Sequence, residues 1–441
     1  MSDALHIAEK NIRRFIAFRA LFNARFYYPV FAIIFLDFGL SLDQFALLNA
    51  IWAITIILAE VPSGALSDLM GRKKLMNTTA VLMVLELAVW AFAPQGDPDR
   101  LFVWLAINRV LSGLAEAAAS GADEALVYDS LKKAGIEDRW TRVLDLMTRW
   151  KSLAFVGAMV TGGVVYDTQL QQQLLSFLGI EWKVDATLAL RLPLYLTLLS
   201  GIACCFVCSG MIDVHVHNQN NNQKKNPINA SLKQTIQAGR WILQTPFALA
   251  LILLGAFADG VSRMFITLSS EYYRLIHYPE FVLGIIGSVM GIINIGLSPL
   301  VRRWVERIHL TKIWIWVTLL GIVAFFGIQW FIPFFGLLFM LFLNVAFLLV
   351  SFLLSHYLNR ETFSEMRATV LSFKGLALNL SYGGIGLLYA FFLNGLQQKE
   401  TMLLSSDELF RRSSDWFLPF YAIGMILLLI TTYSSLKGRE E

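Results

Sequence analysis

Apolar stretches of about twenty residues follow one another along the whole of this chain, each long enough to cross a hydrocarbon layer about 30 Å thick. A soluble core has no use for so many. Of 441 residues, 56% are apolar and 15% are charged, whereas a soluble domain carries about a quarter charged residues. The chain therefore reads as a polytopic membrane protein. Backbone polar groups in lipid must bond internally, so the spans are expected as helices, and the period-two alternation of barrel strands is absent.

Twelve spans are expected, near 15–36, 43–66, 75–93, 101–130, 143–166, 188–212, 246–272, 281–301, 312–331, 334–357, 366–393 and 415–436. The segment before Phe15 is polar and mildly basic, without a small-residue cleavage site. The apolar stretch that follows, 15–39, is too long for a signal-peptide core, so it reads as a retained span. With the N-terminus cytoplasmic, inner segments carry about 22 Lys/Arg and outer ones about 7. Both termini are then expected inside, in the cell inner membrane. Cys204, Cys205 and Cys208 share one apolar stretch and read as small hydrophobes, and no metal ligand set is expected.

The long polar connector 213–245 opens with the low-complexity run Asn218–Gln223 and continues into an expected amphipathic helix, Ser231–Gln244. It separates two expected six-helix bundles, 1–212 and 246–441. These halves look duplicated. The segment from Lys151 to Tyr166 aligns without gaps to Lys374 to Tyr389, matching Lys, Leu, Ala, Gly and Tyr at five positions. The match pairs spans five and eleven, six apart, as a doubled six-helix unit requires.

After span two comes Gly64-Ala-Leu-Ser-Asp68-Leu-Met-Gly71-Arg72-Lys73-Lys74. Glycines allow a tight turn and close helix approach, and a carboxylate suits the positive end of a neighbouring helix. A basic loop obeying the charge bias would explain the cations but not Asp68 with both glycines. The segment resembles the signature loop between spans two and three of the major facilitator superfamily, and the span count, central connector and duplicated halves extend the likeness over the whole chain. The resemblance implies an all-α fold of two pseudo-symmetric six-helix bundles and a functional monomer. It also implies a conformational latch of Gly64, Asp68, Gly71, Arg72 and Lys73, with Asp68 against the start of span eleven near Glu365–Arg367 and Arg72 against Asp129.

Two further patterns bear on the subfamily. Asn108-Arg109-Val-Leu-Ser112-Gly113 looks like the arginine-glycine motif of drug/proton antiporters. Span five keeps Gly162–Gly163, but Ala158 and Met159 stand where those antiporters carry glycine-proline.

An ionised group inside the bilayer is costly unless it is paired or faces water. Arg25, Arg109, Glu86, Glu116, Asp123, Asp259 and Arg263 all fall within spans. By resemblance, spans one, four, seven and ten line a central cavity. Arg25, Arg109, Glu116, Asp259 and Arg263 are thus cavity candidates, with Tyr27 and Tyr28 for stacking on a ligand. Asp145–Arg149 and Asp259–Arg263 are spaced i,i+4, so local neutralisation is the competing reading. A proton-coupling carboxylate must load and release its proton within one cycle, and Glu116, Asp123 and Asp259 suit that role.

The expected function is a proton-coupled secondary transporter moving a small organic solute by alternating access, with efflux favoured by the motif likeness. Uptake by symport is the alternative, and a non-transporting receptor or scaffold of the same fold is another. No nucleophile-base pair, HExxH pair or phosphate-binding loop argues for an enzyme, no cofactor is implied, and no basic tail suggests nucleic acid.

Overall fold

The computed structural model describes residues 2–119, 122–213, 227–362, 367–399 and 404–437. The run Asn218–Gln223 and the expected contact residue Glu365 lie outside them. Regular structure among the described residues is helical throughout. In the first part of the chain stand α1 (Ser2–Asn23), α2 (Phe31–Asp37), α3 (Leu42–Met70), α4 (Arg72–Ala91), α5 (Pro98–Ala119), α6 (Ala122–Ala134), α7 (Trp140–Tyr166), α8 (Thr168–Phe177) and α9 (Ala186–Ser209). There follow α10 (Pro227–Gln244), α11 (Pro246–Thr267), α12 (Ser269–Leu275), α13 (Glu280–Arg307), α14 (Leu310–Ile328), α15 (Gly336–Glu361), α16 (Arg367–Lys399), α17 (Ser406–Ser414) and α18 (Phe417–Lys437). The amphipathic helix of the connector, expected from Ser231, begins four residues earlier with Pro227 in its first turn, where a missing N–H costs nothing.

Eleven helical segments among the described residues are long and apolar enough to span a bilayer, and the bent pair Glu137–Tyr166 and Thr168–Phe177 gives a twelfth. That pair turns by 79°. Asp167 makes the corner, its carboxylate capping α8 by accepting from the Leu170 amide at 2.8 Å. A second cap starts α9, where Asp185 accepts from the amide and hydroxyl of Thr187 at 2.9 and 2.7 Å. Those bonds, the hydroxyl's first, hold the Asp185 carboxyl below its ordinary range.

Span one departs from the expected continuous helix 15–36. It breaks between Asn23 and Phe31, with a single 3-10 turn at Tyr28–Val30. Pro29 has no N–H to continue the ladder, and the Arg25 carbonyl turns instead to the Tyr28 amide at 3.1 Å. The loosened backbone finds other partners: the Phe26 amide donates to Thr197 Oγ1 at 3.0 Å, and Arg25 Nε donates to the Phe22 carbonyl at 3.1 Å. Span seven breaks too, at Leu268 between α11 and α12. There Ser270 Oγ accepts from the amides of Ala32 at 2.9 Å and Ile33 at 3.3 Å, two of the orphan donors that open α2.

Packing groups the chain into two compact units. Unit 1 comprises Met1–Val30, Thr55–Lys233 and Glu280–Ser288, and unit 2 comprises Phe31–Ile54, Gln234–Pro279 and Val289–Glu441. These are packing groups, whereas the contiguous halves expected from the repeat describe a duplication.

Lipid tails are as apolar as leucine, so helices in a bilayer associate through close van der Waals fit and small residues. In unit 1, a Cβ added at Gly162 of α7 would fall 1.7 Å from the Phe26 carbonyl oxygen, at the break in span one. A Cβ at Gly284 of α13 would fall 2.1 Å from the Met159 carbonyl oxygen. In unit 2, α11 is the central post: 72% of its most apolar window is buried, against 22% for α13.

Candidate functional site

In unit 1, polar residues of α4 and α5 gather around the break in span one. Arg25 forms an ion pair with Glu86 of α4, donates to the Tyr27 hydroxyl at 3.4 Å, and lies over the Phe22 ring at 5.0 Å. Asn108 of α5 donates to the Glu86 carbonyl at 2.8 Å, and Arg109 Nε donates to Asn108 Oδ1 at 3.1 Å. The Arg109 guanidinium sits 5.2 Å from the Trp90 ring centre. Arg25 and Glu86 are sealed, with 5% and 2% of their side chains exposed. In so dry a place each charge depends on the other, and removing one strands its partner.

The aromatic candidates divide. Tyr27 is 5% exposed, with its ring 4.7 Å from Trp90, so its surface is already spent on protein. Tyr28 is 43% exposed and is the ring open for stacking. Glu116, in the last turn of α5 and midway along the candidate span Pro98–Ala134, is exposed. A charge at that depth is tolerable facing water and expensive facing lipid.

Asp123 stands differently. Its carboxylate accepts from the Glu124 amide in the first turn of α6 at 2.8 Å and is bound by Arg19, whose Nε lies 2.5 Å from one oxygen and whose NH2 lies 3.0 Å from the other. Arg19 also reaches Glu124 at 3.3 Å. This is the geometry of a helix joint.

At the end of unit 1 that carries the α3–α4 turn, Arg72 pairs with Asp129 and donates to the Ala125 carbonyl at 2.6 Å. Gly71 has φ +88°, a conformation that strains any residue with a Cβ, which accounts for glycine at this turn. Lys73 is half-buried. Gly64 and Asp68 belong to α3, and the Asp68 side chain lies outside what the structure describes.

Unit 2 holds its own cluster on α11 and α16. Asp259 and Arg263 pair at 2.6 Å, with 8% and 26% of their side chains exposed. Arg263 donates to Asn379 Oδ1 at 3.1 Å and lies 5.6 Å from the Tyr382 ring centre. The Tyr382 hydroxyl is 3.3 Å from Thr267 Oγ1, and its ring meets Trp52 edge-on at 6.4 Å. The guanidinium is thus cradled on three sides and open on the fourth. The other i,i+4 pair, Asp145–Arg149, is 53% and 73% exposed and neutralises only itself.

Sequence reasoning noted Glu86 without a partner and missed Asn379, Tyr382 and a third cluster. In that cluster Arg274 bridges Asp37, at 2.8 and 3.0 Å, and Glu271, at 2.7 Å, within unit 2. The Asp37 partner is 237 positions away, and no local pattern marks it. Among the described residues no three His, Cys, Asp or Glu side chains come together as a metal site requires.

The profile of the Major Facilitator Superfamily matches residues 15–387. No curated protein matches the sequence. Several solved structures share the fold. The nucleoside transporter NupG is 12% identical with a TM-score of 0.71, covering 97% of this chain and 99% of its own. A bacterial homologue of the human lysosomal transporter Spinster is 14% identical with a TM-score of 0.67, covering 98% of both chains. A D-xylose-proton symporter is 13% identical with a TM-score of 0.60, covering 96% of both.

Proposed function

Because the chain belongs to the major facilitator superfamily, a family of transporters rather than enzymes, we propose that it moves a small organic solute across the cell inner membrane by alternating access, coupled to protons and in the direction of efflux. In this reading the contiguous halves 1–212 and 246–441 are the two repeats, joined by 213–245. Both termini are cytoplasmic, and the monomer is the working unit.

The observation that supports it best is the Asp259–Arg263–Asn379 cluster. Arg263 is partly exposed and already oriented by an amide and an aromatic ring. With Asp259 ionised, the pair offers the solute an acceptor at the carboxylate and a donor fork at Arg263. A proton arriving on Asp259 takes that acceptor away and releases the solute, so proton and solute occupy the pair in turn, as movement in opposite directions requires. Glu116 and Tyr28, both exposed in unit 1, supply a second proton-accessible carboxylate and a stacking face. Arg25 and Arg109 act from behind as fixed positive charge. Asp123, bound by Arg19 and the α6 amide, serves the α6 joint in this reading, so proton carriage rests on Glu116 and Asp259. Arg72 with Asp129, together with Gly64, Asp68, Gly71 and Lys73, forms the conformational latch.

Reconstituted vesicles with an imposed pH gradient test the proposal. Solute should move against the protons in wild type, and Asp259→Asn should uncouple the two. Solute that moves with the protons supports uptake by symport, the reading favoured by Ala158 and Met159 in place of glycine-proline and by the fold shared with a D-xylose-proton symporter. Function unchanged in Asp68→Asn favours a receptor or scaffold that does not cycle.

A further inference from the structure

Unit 2 encloses a cavity of about 510 Å³ between the ends of α13, α15 and α18 and the start of α14. Two guanidiniums, Arg307 and Arg360, and two imidazoles, His309 and His356, line it, while the buried Phe247 and Leu436 form apolar wall. Neither Arg307 nor Arg360 has a side-chain hydrogen bond or ion pair among the described residues. Glu306 and Glu361 line the cavity as well; Glu306 lies 3.8 Å from Arg302, a cation outside the lining. α14 enters here at Leu310 with no side-chain cap on its first amides, which adds partial positive charge.

Unit 1 gives the contrast. There Arg72, opening span three after the end of span two, is paired with Asp129 near the end of span four. Spans eight and ten, six positions on, end instead in an open cavity with two arginines held ready. A charge bias toward one side of the membrane accounts for arginines near these ends. It does not account for a cavity that joins two open guanidiniums to an apolar wall.

We propose that this cavity binds a phosphoryl anion, with Arg307 and Arg360 forking its oxygens. The same chemistry comes from an anionic phospholipid headgroup, whose acyl chain would leave along the apolar wall, or from a soluble phosphate.

Native mass spectrometry on the purified full chain in detergent separates these sources. Phosphatidylglycerol should remain bound where phosphatidylcholine does not. R307Q/R360Q should lose it by about tenfold or more, roughly one charge-assisted contact's worth. R303Q/K312Q removes the same charge from the same end outside the cavity lining and should retain it. Arg360→Lys keeps the charge but loses the fork, and should bind at an intermediate level. If the source is soluble, millimolar inorganic phosphate displaces the lipid and raises the unfolding temperature of wild type but not of R307Q/R360Q. If it is lipid, phosphate does neither. Equal retention of phosphatidylglycerol by wild type and the gel-filtration-monodisperse R307Q/R360Q, or binding of neither probe to wild type, overturns the proposal.

Discussion

Each unit holds an arginine paired with a carboxylate at membrane depth, yet the two pairs live in different media. Arg25 and Glu86 are sealed, tied to Tyr27 and backed by Asn108 and Arg109. In the Asp259–Arg263 pair about a quarter of the arginine side chain is exposed. A sealed pair is a structural commitment, because separating its charges in a dry interior costs more than the pair contributes. A half-open pair exchanges partners cheaply, since water and solute compete for the same hydrogen bonds. The first fixes a geometry, and the second is the pair to which the proposed function assigns the work.

The largest effect should therefore come from Glu86. Replacing it with Gln strands Arg25, at a cost of about 3–5 kcal/mol, read as a lower unfolding temperature in detergent. The double change Arg25→Met with Glu86→Leu should recover most of that loss. If the single variant unfolds like wild type, the sealed pair is not a structural commitment.

Next come two glycines of the aligned helices α7 and α16. Gly162→Ala drives a methyl into the Phe26 carbonyl and should cost about 1–3 kcal/mol. Gly384→Ala meets open space and should be neutral or stabilising by up to about 1 kcal/mol. Chemical denaturation of the two purified variants compares them directly.

Asp259→Asn should cost less stability than Glu86→Gln, because Arg263 is 26% exposed where Arg25 is 5% exposed. Proton-driven transport should nevertheless fall by about tenfold or more, the worth of one charge-assisted contact, while solute exchange without a gradient persists. An equal loss of stability and transport would make this pair a copy of the sealed one. The smallest effect is expected at Asp129→Asn, where both partners are about a quarter exposed and the stability change should stay within about 1 kcal/mol.

The comparison also shows what a sequence can reveal. Spans were legible because length and apolarity alone decide them. Asp259–Arg263 was legible because four residues bring one helical face round again. The position of Asp129 opposite Arg72 came from family resemblance, not from spacing. Glu86 was visible as a charge in a span, but its partner lies 61 residues away on another helix, and only packing brings them together. The fates of Tyr27 and Tyr28 were hidden for the same reason: adjacent residues at a break, their rings edge to face at 5.2 Å, end with very different exposure. Pro29 was the available signal for that break, masked by the uninterrupted apolar run around it. The Leu268 break has neither proline nor glycine to announce it, and span seven had to be seen to be known as two pieces.

The interruption of span one has a consequence for packing. Val30 and Phe31 fall in different packing units, so the polypeptide changes allegiance within a few residues of Pro29. There the amide-to-carbonyl ladder is interrupted: α1 is bedded in its own neighbours and α2 in others, and a threonine hydroxyl and a serine hydroxyl take up amides that the interruption frees. Each such bond is worth about 1 kcal/mol, so the chain passes from one packing group to the other without stranding those donors.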